Sequence, residues 1–253
     1  MNPDGQRILE YLAEVDRLRA ERTGNPALAT AVHLVKQYQS ARFSKTYADL
    51  LGDPRYAQAA RFFLDELYGP QEFAARDAQF ARIVPALVRI FPAEIVGTVS
   101  TLAQLHALSE SLDSRMGRNW LAVATGVRAM TAVDYIAAWR ATGEREGRAQ
   151  QIDLTMQIGR ALDHYTRKPL LRGALHMMRR PAQAAGLGEL QHFLESGFDT
   201  FGRMRGAQAF LDVVRQREAS LAEALFGAAP VTSATSNSGG APRSTADTLG
   251  QLP

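Results

Sequence analysis

Residues 62–92 read FFLDELYGPQEFAARDAQFARIVPALVRIFP, and this stretch decides how the rest of the chain is read. It holds five of the chain's eleven phenylalanines: Phe62, Phe63, Phe73, Phe80 and Phe91. Between them stand Asp65, Glu66, Arg76, Asp77, Arg82 and Arg89. Tyr56, Ala60, Phe63 and Leu67 recur at steps of four, three and four, the period of one helix face. Gly69-Pro70 stops that helix and starts another. Phe73, Phe80, Val84, Leu87 and Phe91 carry the period on. Pro85 falls inside it; a missing N–H and a ring clash predict a kink or break near Ile83.

The same period extends outward in both directions. Ile8, Leu12, Val15 and Leu18 form a stripe between charges. Asn25-Pro26 is a helix cap followed by proline at the first helical position, predicting a helix to about Phe43. Asp53-Pro54 repeats that start signal, and Pro92 opens a helix carrying Ile95, Val99, Leu102, Leu105 and Leu112. A new start is expected near Gly117, with Trp120, Ala124 and Val127 on one face. Thr131 and Asp134 have the spacing of a capping box, and Gly143 ends the helix they begin. Further helices are expected over about 145–166, 169–180, 188–204 and 207–226, with Gly186-Leu187-Gly188 as a turn. No alternating run bounded by a hairpin signal appears. The expected fold is therefore all-α, a single bundle of about eight to ten helices over residues 1–226. Residues 227–253 are small, polar and almost uncharged, and are expected to form a disordered tail.

Composition removes several function classes. The 253 residues can bury a sizeable core. The absence of cysteine excludes disulfides, thiolate metal sites and a cysteine nucleophile. The charged first turns do not resemble a signal peptide, and no charge-free window of about 18 residues is apolar enough to cross a bilayer. A cytoplasmic location is the expectation. The net charge of +3 implies no nucleic acid by itself. Nucleophile-elbow, Walker and dinucleotide signatures are all absent.

Three constellations remain. Phe62, Phe63, Asp65, Tyr68, Arg76 and Asp77 gather around the Gly69-Pro70 corner. They form either a buried Arg–Asp network that fixes the corner or the mouth of an apolar pocket that binds a polar head group. Residues 160–180 carry six cations against Asp163 alone. Within them Arg172, His176, Arg179 and Arg180 share one helix face, opposite Leu171, Ala174, Leu175 and Met178. That face is either solvated and ion-paired or a docking surface for an acidic protein or an anionic lipid surface. No aromatic residue is interleaved with the arginines, so nucleic acid is not favoured. Glu189 and His192 form one Glu-x-x-His pair, where a di-iron bundle needs two. His106, beside the Leu102–Leu105 stripe, is the lone-histidine alternative for haem.

The run from Phe62 to Pro70 followed by Arg76-Asp77 resembles an uncharacterised all-helical family of bacterial proteins. Leu108–Asp113, Lys168–Leu171 and Leu190–Phe198 support the resemblance. It implies the helical fold unit and a bacterial origin, and carries over no catalytic residue. The expected function is non-catalytic binding of a protein partner or of an apolar small molecule held between helices, with no cofactor. The alternatives are a metal- or haem-binding bundle or enzyme, and docking through the basic helix.

Overall fold

The structure, a computed structural model, describes residues 3–67, 69–124, 128–227, 249–250 and 252–253. The described residues contain helices and no strand. The described residues form eleven α-helices and one π-helical turn, slightly more pieces than the sequence predicts. In order they are α1 (Pro3–Gly24), α2 (Pro26–Thr46), α3 (Ala48–Gly52), α4 (Ala57–Phe62), the π turn (Phe63–Leu67), α5 (Ala74–Ile90) and α6 (Ala93–Val123). They continue with α7 (Ala132–Thr142), α8 (Arg145–Thr166), α9 (Pro169–Ala184), α10 (Gly188–Met204) and α11 (Gln208–Gly227).

The local punctuation acts as its chemistry requires. The Asn25 side chain accepts from the Leu28 N–H at the start of α2. Thr131 and Asp134 make both halves of the capping box. Gly143 and Gly186 take positive φ, 68° and 67°, where a side chain would be strained. The Asp53-Pro54 signal starts only a turn, because the Asp53 carboxylate accepts from the N–H groups of Arg55 and Tyr56. The helix proper begins at Ala57 and widens into the π turn at Phe63.

Neither expected break occurs. α5 runs through Pro85, which lies on the exposed face where water can serve the carbonyl that its missing N–H abandons. α6 runs through Gly117 as 31 continuous residues, about 46 Å long at 1.5 Å per residue. Gly117 is a contact point rather than a helix end. A Cβ there would stand 2.6 Å from Val32 Cγ2 and 3.1 Å from the Val32 nitrogen, so glycine lets α2 lie directly on α6.

α6 is the axis of the fold, packed by α1, α2, α7 and α8. Three apolar clusters surround it. The largest joins Phe43 and Tyr47, Phe62 and Phe63, and Phe193, Phe201 and Phe210. The second joins Val35 and Tyr38 to Met116, Trp120, Tyr135, Trp139, Leu221 and Leu225. The third joins Ile8 and Leu12 of α1 to Val84 and Leu87 of α5 and Val96 and Ala103 of α6.

Residues 228–248, most of the expected disordered tail, lie outside the described residues. The chain's end departs from that expectation. Leu252 is 5% exposed and joins the second cluster, and Leu249 packs beside it. Lys45 Nζ donates to the Leu252 carbonyl at 2.7 Å. Burying two leucines contributes roughly 1.5–3 kcal/mol each. Ordering four backbone residues costs roughly 1–2 kcal/mol each. The terms nearly cancel.

Candidate functional site

The α1 stripe Ile8, Leu12, Val15 and Leu18 continues at the next step with Arg22, so a guanidinium arrives on a buried face. On α2 the buried face includes Lys36 and Gln39; on α6 it includes Glu110 and Asp113. The two pairs have the same spacing of three and mate across the packed helices. Lys36 Nζ donates to Glu110 Oε1 at 2.6 Å, and Gln39 Nε2 donates to Asp113 Oδ1 at 2.8 Å. Arg22 Nη2 stands 2.8 Å from Glu110 Oε2, and its Nη1 donates to Ser114 Oγ at 3.1 Å. Glu72, half exposed before α5, accepts from Arg22 and lies 3.7 Å from Lys36.

Asp77 is a second node. Arg19 Nη2 donates to its Oδ2 at 2.7 Å, His106 Nε2 lies 3.0 Å from the same oxygen, and Arg76 Nε stands 3.8 Å from Oδ1. Arg76 also donates to Glu66 at 3.3 Å. Its guanidinium is sandwiched between the rings of Phe73 and Phe193, 3.9 and 4.6 Å from their centroids. That stacking fixes a charge at the edge of an apolar space.

These groups form the floor of a cavity of about 120 Å³ between α1, α2, α5, α6, α8 and α10. Lys36, Arg76, Asp77, His106, Glu110 and Asp113 face it. Gln39, Ser109, Gln151 and Thr155 add neutral donors and acceptors. The rest of the lining is apolar, built from Phe73 before α5, Phe80, Ile83 and Leu87 of α5, Val99 and Leu102 of α6, and Leu190, Phe193 and Leu194 of α10.

Each of the four cations around the floor is engaged by a carboxylate, while a fifth carboxylate, Asp113, is held by Gln39. Arg19, Arg22, Lys36 and Arg76 face Glu66, Glu72, Asp77 and Glu110. Burial alone would raise the Asp77 carboxyl, but hydrogen bonds from His106 and Arg19 and the Arg76 charge outweigh it and hold it below its ordinary value. Glu110 is likewise held low, its burial outweighed by the charges of Lys36 and Arg22. Asp113 goes the other way: its burial pushes its carboxyl up despite Lys36 and Arg148.

The sequence-selected corner residues separate in space. Arg76 and Asp77 line the cavity. Phe62 and Phe63 belong to the first apolar cluster, where Phe62 stacks on Phe193 at 5.7 Å and Phe63 meets Phe210 edge-on at 5.3 Å. Asp65 is exposed, its backbone carbonyl accepting from Gln71. Tyr68 lies outside the described residues. Arg172, His176, Arg179 and Arg180 are all exposed on α9. Arg172 pairs with Asp199 at 2.9 Å and Arg179 with Glu195 at 2.7 Å, while Arg180 has no ion pair among the described residues. The opposite face is only half covered: Leu171 and Leu175 are partly buried, but Ala174 is exposed and Met178 is 53% exposed, and on the flank Leu170 and Met177 are more exposed still. Glu189 and His192 are exposed. Among the described residues no group of three histidines or carboxylates is placed to hold a metal.

Sequence reasoning passes over Lys36, Gln39, Glu72, Glu110 and Asp113. The available signal is a charged or amide side chain standing on a helix's own apolar stripe, as Arg22 does after Leu18. Nothing matches among curated proteins or among solved structures. Residues 18–232, which contain the whole polar floor, match the family described as a domain of unknown function, DUF8198, and the chain belongs to that family.

Proposed function

We propose that the domain is a binding module for a compact small molecule with an apolar body and an uncharged polar end. The observation that carries this reading is the pairing of an apolar lining with ionic groups already engaged by one another. A ligand bringing a net charge would leave it unpaired in a buried place, which is costly. An alcohol, phenol, amide or neutral heterocycle would instead meet Gln39, Ser109, Gln151 and Thr155. The volume of about 120 Å³ sets the size. A cavity of about 150 Å³ holds a benzene ring, so one ring or a short branched chain fits.

The test is native mass spectrometry of the full chain, followed by thermal-shift measurements with small phenols, aryl amides, aryl carboxylates and aryl amines. Neutral compounds should bind and raise the melting temperature; their charged analogues should not. Val99→Phe, which extends a ring into the cavity, should weaken binding at least about tenfold, equivalent to roughly 1.4 kcal/mol. A bare apo mass with no stabilisation by any neutral compound overturns the reading.

A second reading, docking of α9 on an anionic lipid surface, is favoured by the exposure of Leu170 and Met177 beside Arg180. Among the described residues no helix is long and apolar enough to cross a membrane, so such contact would be peripheral. Each cation near an anionic surface contributes on the order of 1 kcal/mol. Arg172 and Arg179 are already engaged by carboxylates and contribute less. Changing Arg172, Arg179 and Arg180 together to glutamine should reduce low-salt flotation with phosphatidylserine vesicles at least about tenfold. Absence of flotation by the unaltered chain rejects this reading.

A further inference from the structure

We infer that the surface of the second apolar cluster is a peptide-binding groove whose resident ligand is the chain's own C-terminal segment, held there releasably. Leu249 and Leu252 are spaced as one helical turn, and the Leu252 N–H donates to the Leu249 carbonyl at 3.0 Å. That turn points both leucines at the cluster built from α2, α6, α7 and α11. Lys45, near the end of α2, clamps the backbone by donating to the Leu252 carbonyl. The attachment is narrow. Gly227 closes α11, and residues 228–248, 21 in number, contain Val231 as their one large aliphatic side chain. The sequence thus places its only leucines after Leu225 at the far end of a polar connector, where the cluster receives them.

A permanent part of the core would have many such anchors. Among the described residues the segment is anchored by two leucines and one side-chain hydrogen bond, with near-cancelling energies of burial and ordering. A connector of this length keeps a released end at an effective concentration on the order of millimolar. The end therefore returns readily, and a separate molecule must bind well to displace it. The ligand class is a short peptide bearing two leucines three apart, with a backbone carbonyl free to accept from Lys45. The inference is independent of the cavity reading.

The experiment uses the full chain and a dye-labelled peptide of residues 246–253, ADTLGQLP. In the variant Leu249→Ser/Leu252→Ser the groove is vacated, and fluorescence anisotropy should show the peptide binding at least tenfold more tightly than to the unaltered chain. Adding Lys45→Met to that variant should weaken peptide binding again, several-fold. Equal affinity for variant and unaltered chain overturns the proposal, as does absence of binding to a variant whose circular dichroism is unchanged. A second measurement does not depend on the variant's folding. The chain has no cysteine, so Pro253→Cys takes a single spin label. Amide signals near Lys45 and Leu225 should broaden in the labelled chain and recover partly when excess peptide is added. Lack of broadening, or broadening that saturating peptide leaves untouched, overturns releasable docking. Broadening seen only when labelled and isotope-enriched chains are mixed also overturns it, since the segment would then serve a second copy rather than its own chain.

Discussion

Phe63→Ala is expected to lower the free energy of unfolding by about 3–5 kcal/mol, the usual result of emptying a large aromatic core position. Phe63 is 2% exposed and stands where α4 widens into the π turn. Its ring meets Phe210 of α11 edge-on and lies 6.4 Å from Phe201 of α10. One side chain thus joins the Gly69-Pro70 corner to the two last helices. These neighbours come from two separate helices, so they are poorly placed to collapse together into the void. Urea denaturation followed by circular dichroism measures the loss, and a value under about 1 kcal/mol would reject the core assignment. Phe63 does not face the cavity, so the folded variant should retain ligand affinity within a few-fold.

What was legible in the chain was what is decided locally. The Asn25 cap, the Thr131–Asp134 box, Gly143 and the Gly186 turn are each fixed by residues within four positions, and each forms as read. Gly117 was misread because its reason is tertiary: Val32, 85 positions earlier, needs the space that a side chain would fill. Pro85 does not break α5, because a proline's cost depends on which face it occupies, and here that face meets water. The candidate site was half legible. Arg76 and Asp77 were found from the company of aromatic residues around them. Their partners Arg19 and His106 come from α1 and α6, far away along the chain. Lys36 and Glu110 are 74 positions apart, and a charge on each helix's apolar stripe does not say which partner it meets. Only the pairing of α2 with α6 makes them buried, and sequence periodicity carries no information on which helices pair. The exposed Ala174 and Met178 show the converse: an apolar arc on α9 promises burial that the fold only half supplies.

Glu110 is where that pairing has its largest electrostatic consequence. Glu110→Gln keeps the side chain's size and removes its charge, leaving Arg22 and Lys36 buried without their common carboxylate. Removing one partner of a buried ion pair costs about 3–5 kcal/mol. Glu72 also touches both cations but is half exposed, so it offsets a part and places the expected loss near the lower end of that range. The pH dependence separates this cause from a packing defect. Burial opposes the charged form of Glu110, but Lys36 and Arg22 prevail and its folded-state carboxyl titrates below the ordinary value. A depressed carboxylate contributes its full stabilisation above the unfolded value of about 4.3, and loses it as pH falls through the folded value. The unaltered chain should therefore lose its advantage over Glu110→Gln as pH falls below about 4, because its own Glu110 then takes up the proton that the amide imitates. Asp77 shares that sign and is common to both chains, so it cancels in the difference. Asp113, raised by burial, has the opposite sign: its contribution is lost as pH rises above about 3.9. It too is common to both chains, though coupled to Glu110. Denaturation of both proteins at several pH values between 3 and 7 gives the difference directly. A gap that stays constant over that interval would place the loss in packing and remove the ion pair from the account of the floor.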